Sequence, residues 1–458
     1  MAYIGDGVMS PPLFATRTLY APGHFGNSYE VVGDNEFRTL LTAWQSWGFN
    51  EYADWFDPAN CADPYVEPLY DLGKALRDAK KRRFVIAQEL GLPGVLVLTP
   101  NTVFQEQCAP DVDVVKSERI FGQLVCPSIP RGRAIILRNH ENWFRDLASA
   151  GVKLRAIAAC PYDFGGCACD QCNPWILTFA KLCREIHALA ECYHPDVEMR
   201  MIGWWWSAEE HRLFADWADT HAPGWVKSIT QHIPYDQSDE ADVPLPKGCE
   251  RQAFVHIGYA EEAAPRDTYA HLGPVMAADR LERTLHALRA RGCTGWLAYS
   301  EGVYDDVNKA LLVKISGGQC DTAGEVLVDY AKDFLGADDR NVATWVHWLR
   351  QWGRPYSVDT AAAELELAKL QITINGTTSW RIRQWQLKSK LMRANTAVLA
   401  TKIRTPERAA AIAAYWAVHE VLVREVYGIG LLRHIFARDF SPTPWMKEER
   451  EFTLLDQA

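Results

Sequence analysis

Positive charge is in short supply in this chain: 48 Lys and Arg stand against 58 Asp and Glu, for a formal net charge of −10. A partner gripped through its phosphate backbone calls for a basic stripe, and the sequence offers none, so nucleic acid is not expected. No apolar run reaches the ~18 residues that a membrane-spanning helix needs, so no membrane partner is expected either. The opening MAYIGDGVMSPP has neither the basic nor the apolar stretch of a secretion signal. We therefore expect a cytoplasmic protein whose 12 cysteines are reduced thiols or metal ligands, not a disulfide framework. The Asn375-Gly376-Thr377 sequon is then expected to carry no glycan. Repeats of fixed period and low-complexity tracts are absent. So is a G-x-G-x-x-G after a strand, which counts against a dinucleotide fold; no organic cofactor is expected.

What is present is ordinary globular material, 48% hydrophobic and 23% charged over 458 residues, enough to bury a core without staples. The 18 Trp, 17 Tyr and 17 Phe are a heavy aromatic load. Most such rings fill cores, but the apolar C–H faces of sugars also stack on them.

Hydrophobic periodicity alternates along the first two thirds of the chain. Strands are expected at 13–20, 48–56, 94–100, 153–163, 197–206, 225–233, 252–260 and 295–301. Helical spacing fills most of the gaps, as in Phe37, Leu40, Leu41, Trp44 and Trp47, or Leu281, Leu285 and Leu288 before Gly292. The exception is 234–251, where DQSDEADVPLPKG has no helical period. Eight such units predict a (β/α)8 TIM barrel over residues 1–320. From 321 to 458 helical stretches follow one another with no strand between them, which predicts an α-helical C-terminal domain packed beside the barrel or making a homo-oligomer contact. Trp345, Trp348 and Trp352 fall at i, i+3 and i+7 there, the spacing of a buried stripe.

A barrel enzyme works at the C-terminal ends of its strands. The polar residues placed there by the pattern are Arg17, Asp54, Asn101, Asp163, Glu209, Glu210, His232, His256, Tyr299, Glu301 and Asp305, with Trp204, Trp205 and Trp206 beside them. Acids and aromatics dominate and cations are sparse. A phosphate substrate wants the reverse, so the expected partner is a carbohydrate. Hydrolysis of a glycoside needs two carboxyl groups across one bond, and Asp163 and Glu301, ending strands 4 and 8 on opposite sides of the mouth, are the expected pair. Asp163 is also explicable as a turn residue before Gly165, and Glu301 as an acid near a helix start. Glu209 is the alternative acid. Glu210 completes Ser207-Ala208-Glu209-Glu210, an S-x-x-E capping box. Arg17, Asp54, the three tryptophans, His232, His256, Tyr299 and Asp305 are the expected sugar contacts, although alternation forbids all three Trp from facing one way.

Cys167-Ala168-Cys169-Asp170-Gln171-Cys172 is a C-x-C-x2-C run, and with one distant thiol it supplies four soft ligands for tetrahedral Zn²⁺. Cys108, in the loop after strand 3, is the expected fourth ligand in preference to Cys160, which sits in strand 4. Four thiolates leave no open position, so such a zinc is structural.

A C-x-C-x2-C cluster after the strand-4 acid, with a further Cys after strand 3, resembles glycoside hydrolase family 42, the barrel β-galactosidases with a structural zinc. The likeness covers the strand 3–4 region. That family has an Asn-Glu pair where this chain has Tyr162-Asp163, and its nucleophile would follow strand 7, where only Glu261 is on offer. Galactosidase specificity therefore does not carry over. YSEGVYDDVNK followed by a helical domain looks more like the large barrel glycosidases of the α-glucuronidase and hexosaminidase type. The expectation is a divergent glycoside hydrolase. A metal-dependent sugar isomerase or lyase using His232 and His256, and a sugar-binding barrel without catalysis, are the alternatives.

Overall fold

The computed structural model describes residues 11–23, 28–56, 58, 62–65, 71–162, 165–232, 243–261, 274–300, 302–372, 379–422 and 424–425. Eight parallel strands close into one barrel in sequence order: β1 (Thr16–Tyr20), β2 (Glu51–Phe56), β3 (Gly94–Leu98), β4 (Leu154–Ala159), β5 (Glu198–Gly203), β6 (Val226–His232), β7 (Glu250–His256) and β8 (Gly295–Tyr299). Thr16 pairs with Gly295 and Tyr20 with Tyr299, which closes the ring. Helices α1 (Asp34–Trp47), α2 (Asp71–Glu89), α3 (Pro130–Ser149), α4 (Trp175–Tyr193), α5 (Ala208–His221), α6 (Ala278–Ala290) and α7 (Asp306–Ser316) sit between strands or follow the last of them. The expected (β/α)8 barrel is the fold found. Between β6 and β7 the described residues 243–249 form no helix, in keeping with the missing helical period there.

Alternation along each strand sorts side chains into two cores. Outward residues such as Leu19, Tyr52, Leu96, Ile157, Met201 and Trp296 pack under the helices. Inward residues Tyr20, Ala53, Trp55, Val97, Ala158, Ile202, Phe254 and Leu297 fill the barrel. Its floor is polar: Glu51 on β2 accepts both Arg200 guanidinium nitrogens from β5, at 2.7 and 2.9 Å, and the Thr18 hydroxyl at 2.6 Å. The pair spans non-adjacent strands and so crosses the barrel axis, which pins register on both.

After α7 the chain continues as α8 (Ala323–Phe334), α9 (Val342–Gln351), α10 (Thr360–Ile372), α11 (Trp380–Ala400) and α12 (Pro406–Leu422). Trp345, Trp348 and Trp352 are each 0% exposed and pack edge to face, with Trp385 of α11 5.6 Å from Trp348. The stripe is core. No described helix is long and apolar enough to cross a membrane.

Candidate functional site at the barrel mouth

The C-terminal rim of the barrel is an aromatic ring. Tyr299 at the end of β8 lies 5.4 Å from Tyr20 and stacks on Phe254 at 5.7 Å. His256, which ends β7, is 4.8 Å from Tyr299 and 4.4 Å from Tyr259. Trp204 faces inward against Phe254 at 5.5 Å and stacks on Trp205 at 5.9 Å and 24°. Trp205 is 42% exposed, with a left-handed φ of 59° that puts its ring on the rim opposite Phe121. A non-Gly residue in that region is costly and marks a place held by its surroundings; here Arg119 Nη1 donates to the Trp205 carbonyl at 2.6 Å. Tyr20, Phe254 and Phe121 were not singled out from the sequence. Phe254 could have been, since it stands two residues before His256 and shares its face of the strand.

Several expected contacts are placed elsewhere. Arg17 is the second residue of β1, not a residue after it; its guanidinium donates to the carbonyls of Gly48 (2.7 Å) and Phe14 (2.5 Å) at the opposite end of the barrel. Asp54 points outward from β2, between the inward Ala53 and Trp55, and takes Lys80 of α2 at 3.0 Å and the Gly23 amide at 3.1 Å. It anchors the loop after β1 instead of meeting a ligand. Trp206 turns out against Phe179, His211 and Phe214; β5 ends at Gly203 and Trp205 has a left-handed φ, so the alternation that would put Trp206 on the side of Trp204 does not continue there. Glu209, in the first turn of α5, faces solvent and pairs with Arg212 at 2.9 Å. Asp305 is 0% exposed and paired with Lys309, so a sugar hydroxyl does not reach it. His232 ends β6, and its side chain lies outside the described residues, as do Asp163 and Glu301.

The described neighbours of positions 163 and 301 are tightly held. Asn101 grips the loop after β4 through Gly166, donating to its carbonyl at 2.8 Å and accepting its amide at 2.9 Å. The Tyr162 hydroxyl donates to Glu210. Glu210 also receives Arg119 at 2.9 and 3.2 Å and the Ser207 amide at 2.7 Å. Burial raises the Glu210 carboxyl, but these donors outweigh it and hold it below the usual range. Four donors occupy its two oxygens, so Glu210 is a clamp between loops, with no lone pair left for attack. Beyond β8, Ser300 Oγ lies 2.7 Å from the Tyr29 hydroxyl and 3.1 Å from Asp305. The Gly302 carbonyl accepts Tyr29 Oη and Lys309 Nζ, each at 3.0 Å. All these groups are buried.

The thiol cluster forms, with one change of membership. Sulfurs of Cys126, Cys167, Cys169 and Cys172 lie within 4.8 Å of one another, whereas Cys108 is exposed. The loop after β3 folds back on itself, pairing Thr102 with Leu124 and Asp113 with Val125. That hairpin delivers Cys126, whose amide bonds the Val112 carbonyl at 2.8 Å, and leaves Cys108 outside. Four sulfurs at ~2.3 Å from a zinc stand about 3.8 Å apart. Cys126 is 3.8 Å from Cys169 and 3.6 Å from Cys172, so the residues present fit such an ion. Hydrogen bonding from Cys172 pulls the Cys167 thiol below its ordinary range, and Ser128 Oγ sits 3.0 Å from Cys172.

A closed (β/α)8 barrel with an aromatic mouth, followed by packed helices, defines the class. No protein-family model matches the chain, and no curated protein matches it. Among solved structures, the chain is similar to CpGH84B at 11% identity and a TM-score of 0.44, covering 92% of this chain and 74% of that one. Against a GH138 enzyme targeting pectin rhamnogalacturonan II, the identity is 10% and the TM-score 0.49, over 94% of this chain and 60% of that one. Against the β-glycosidase BGL167 they are 10% and 0.42, over 68% and 98%. These neighbours are glycoside hydrolases; at such identities no particular activity or residue transfers from them.

Proposed function

We propose that the protein is a glycoside hydrolase in which Asp163 protonates the leaving oxygen and Glu301 serves as nucleophile or base. The observation that carries this reading is the mouth itself: an aromatic ring of Tyr20, Trp204, Phe254, His256 and Tyr299, flanked by the loops after β4 and β8, four strands apart in a ring of eight. Carboxylates carried on those loops would face each other across a sugar stacked on the ring. Trp205 and Phe121 extend the stacking surface outward, which suits an oligo- or polysaccharide. Cys126, Cys167, Cys169 and Cys172 would hold a structural Zn²⁺ that ties the loop after β3 to the loop after β4; its chemistry is cross-linking, since four thiolates leave no site for substrate.

Release of aryl or sugar from a panel of α- and β-linked aryl glycosides and oligosaccharides tests the class. Turnover that survives brief EDTA treatment is expected. Activity lost to EDTA and restored by Mg²⁺ or Mn²⁺ would indicate an isomerase or lyase instead, and binding without turnover a sugar-binding barrel.

A further inference from the structure

The turn after β8 is held from beneath by a cluster of charges that comes partly from the C-terminal helices. Asp305 and Asp306 at the start of α7, Lys309 one turn on, and Lys388 of α11 are each 0% exposed; Arg381 of α11 is 8% exposed. Asp306 accepts Arg381 Nε at 2.6 Å, the Tyr330 hydroxyl at 2.7 Å and Trp44 Nε1 at 2.9 Å. Lys309 bonds Asp305 and the Gly302 carbonyl. Lys388 Nζ reaches the Tyr304 carbonyl at 2.9 Å, with the rings of Tyr304 and Trp385 at 5.8 and 5.4 Å. Among the described residues no carboxylate bonds to it directly. A fully buried lysine is costly, and a packed apolar side chain there would be cheaper. What the lysine does in that place is fix one backbone carbonyl in the turn from Gly302 to Asp306.

We propose that Lys388 is a positioning residue: α11 uses it to hold the turn after β8, residues 302–306, in a single shape. Every link is a hydrogen bond between described groups. Lys388 fixes Tyr304, Arg381 fixes Asp306, and Lys309 with Tyr29 fixes Gly302. The consequence for catalysis rests on the reading of Glu301 given above; the consequence for the turn does not. The helices after the barrel are then part of the working site, and a change on α11 is felt at the mouth with no contact to substrate.

Lys388→Met keeps an unbranched apolar stem and removes the donor, and Lys388→Gln, of the same length as Met, keeps a donor. Hydrogen exchange read by mass spectrometry is expected to speed up about tenfold over 302–306 in Lys388→Met while β3 and β4 stay as in wild type. Lys388→Gln is expected to recover most of the protection. On the glycoside that wild type hydrolyses, kcat should fall about tenfold or more in the Met variant with KM within about twofold, as a misplaced group demands. Exchange over 302–306 equal to wild type, or a rise spread evenly over the whole barrel, would overturn the proposal. If wild type hydrolyses no glycoside, the kinetic arm falls with that reading and exchange alone decides the role of Lys388. Should the Met variant not fold, Lys388→Leu, which also lacks the donor, carries the same comparison against wild type: increased exchange confined to the turn supports the role and unchanged exchange contradicts it.

Discussion

Two histidines show how burial writes pH dependence into single residues. His140 on α3 is 0% exposed, with Nδ1 2.8 Å from the Ile136 carbonyl, and burial pushes it down to about 4. His211 on α5 packs on Trp206 at 4.8 Å and is likewise pushed down by burial to about 4. In the unfolded chain both titrate near 6.5. Between about 6.5 and 4 the unfolded chain therefore binds protons that the folded chain refuses, and stability falls as the pH drops through that window. Each histidine is expected to forfeit about 2 kcal/mol by pH 5 relative to pH 8. Urea unfolding at stepped pH checks this, with His140→Gln predicted to flatten part of the slope; identical slopes in the two proteins would refute the assignment. Neither histidine was among the residues picked from the sequence, because a helical His reads the same whether its face meets core or water.

At the scale of elements, the strands were legible and the loops were not. Seven of the eight strands fall inside their expected spans, β7 starts two residues before its own, and all ends agree to within four residues, since alternation and apolar runs are local signals. The loop after β3 shows the limit. Cys108 and Cys126 both lie between β3 and α3, and only the hairpin that pairs Asp113 with Val125 decides between them. That pairing depends on contacts no spacing rule encodes. Arg17 and Asp54 lie within β1 and β2, inside the spans expected for them, and the partners they take, the Gly48 and Phe14 carbonyls and Lys80, are likewise set by contacts that spacing does not encode. The cysteine assignment is testable by metal analysis of purified protein. Cys126→Ser is expected to lose most of its bound zinc and several degrees of Tm, while Cys108→Ser keeps both. Retained zinc in Cys126→Ser would disprove it.

Across the whole molecule, the junction between barrel and C-terminal helices is polar at its centre. Asp306 is 0% exposed; burial raises its carboxyl, but Arg381 outweighs that and holds it below the usual range. Breaking such a pair leaves an uncompensated buried charge, a loss of roughly 3–5 kcal/mol. Arg381→Met should therefore destabilise the protein by about that amount in denaturant unfolding, and a loss under about 1 kcal/mol would mean that the junction does not depend on this pair. Helix periodicity announced the C-terminal helices and their buried Trp stripe. It could not announce that Arg381 and Lys388, separated by about two turns of one helix, meet Asp306 and the Tyr304 carbonyl, because those contacts join residues 75 and 84 positions apart.

The proposed function requires that a carboxylate after β8 does chemistry on a sugar bond. The most direct measurement is turnover of the best glycoside by wild type beside Glu301→Gln, with equal Tm and equal zinc content established first. A loss of about three orders of magnitude or more in kcat in the variant is the predicted result. Turnover within about tenfold of wild type would contradict the role given to Glu301.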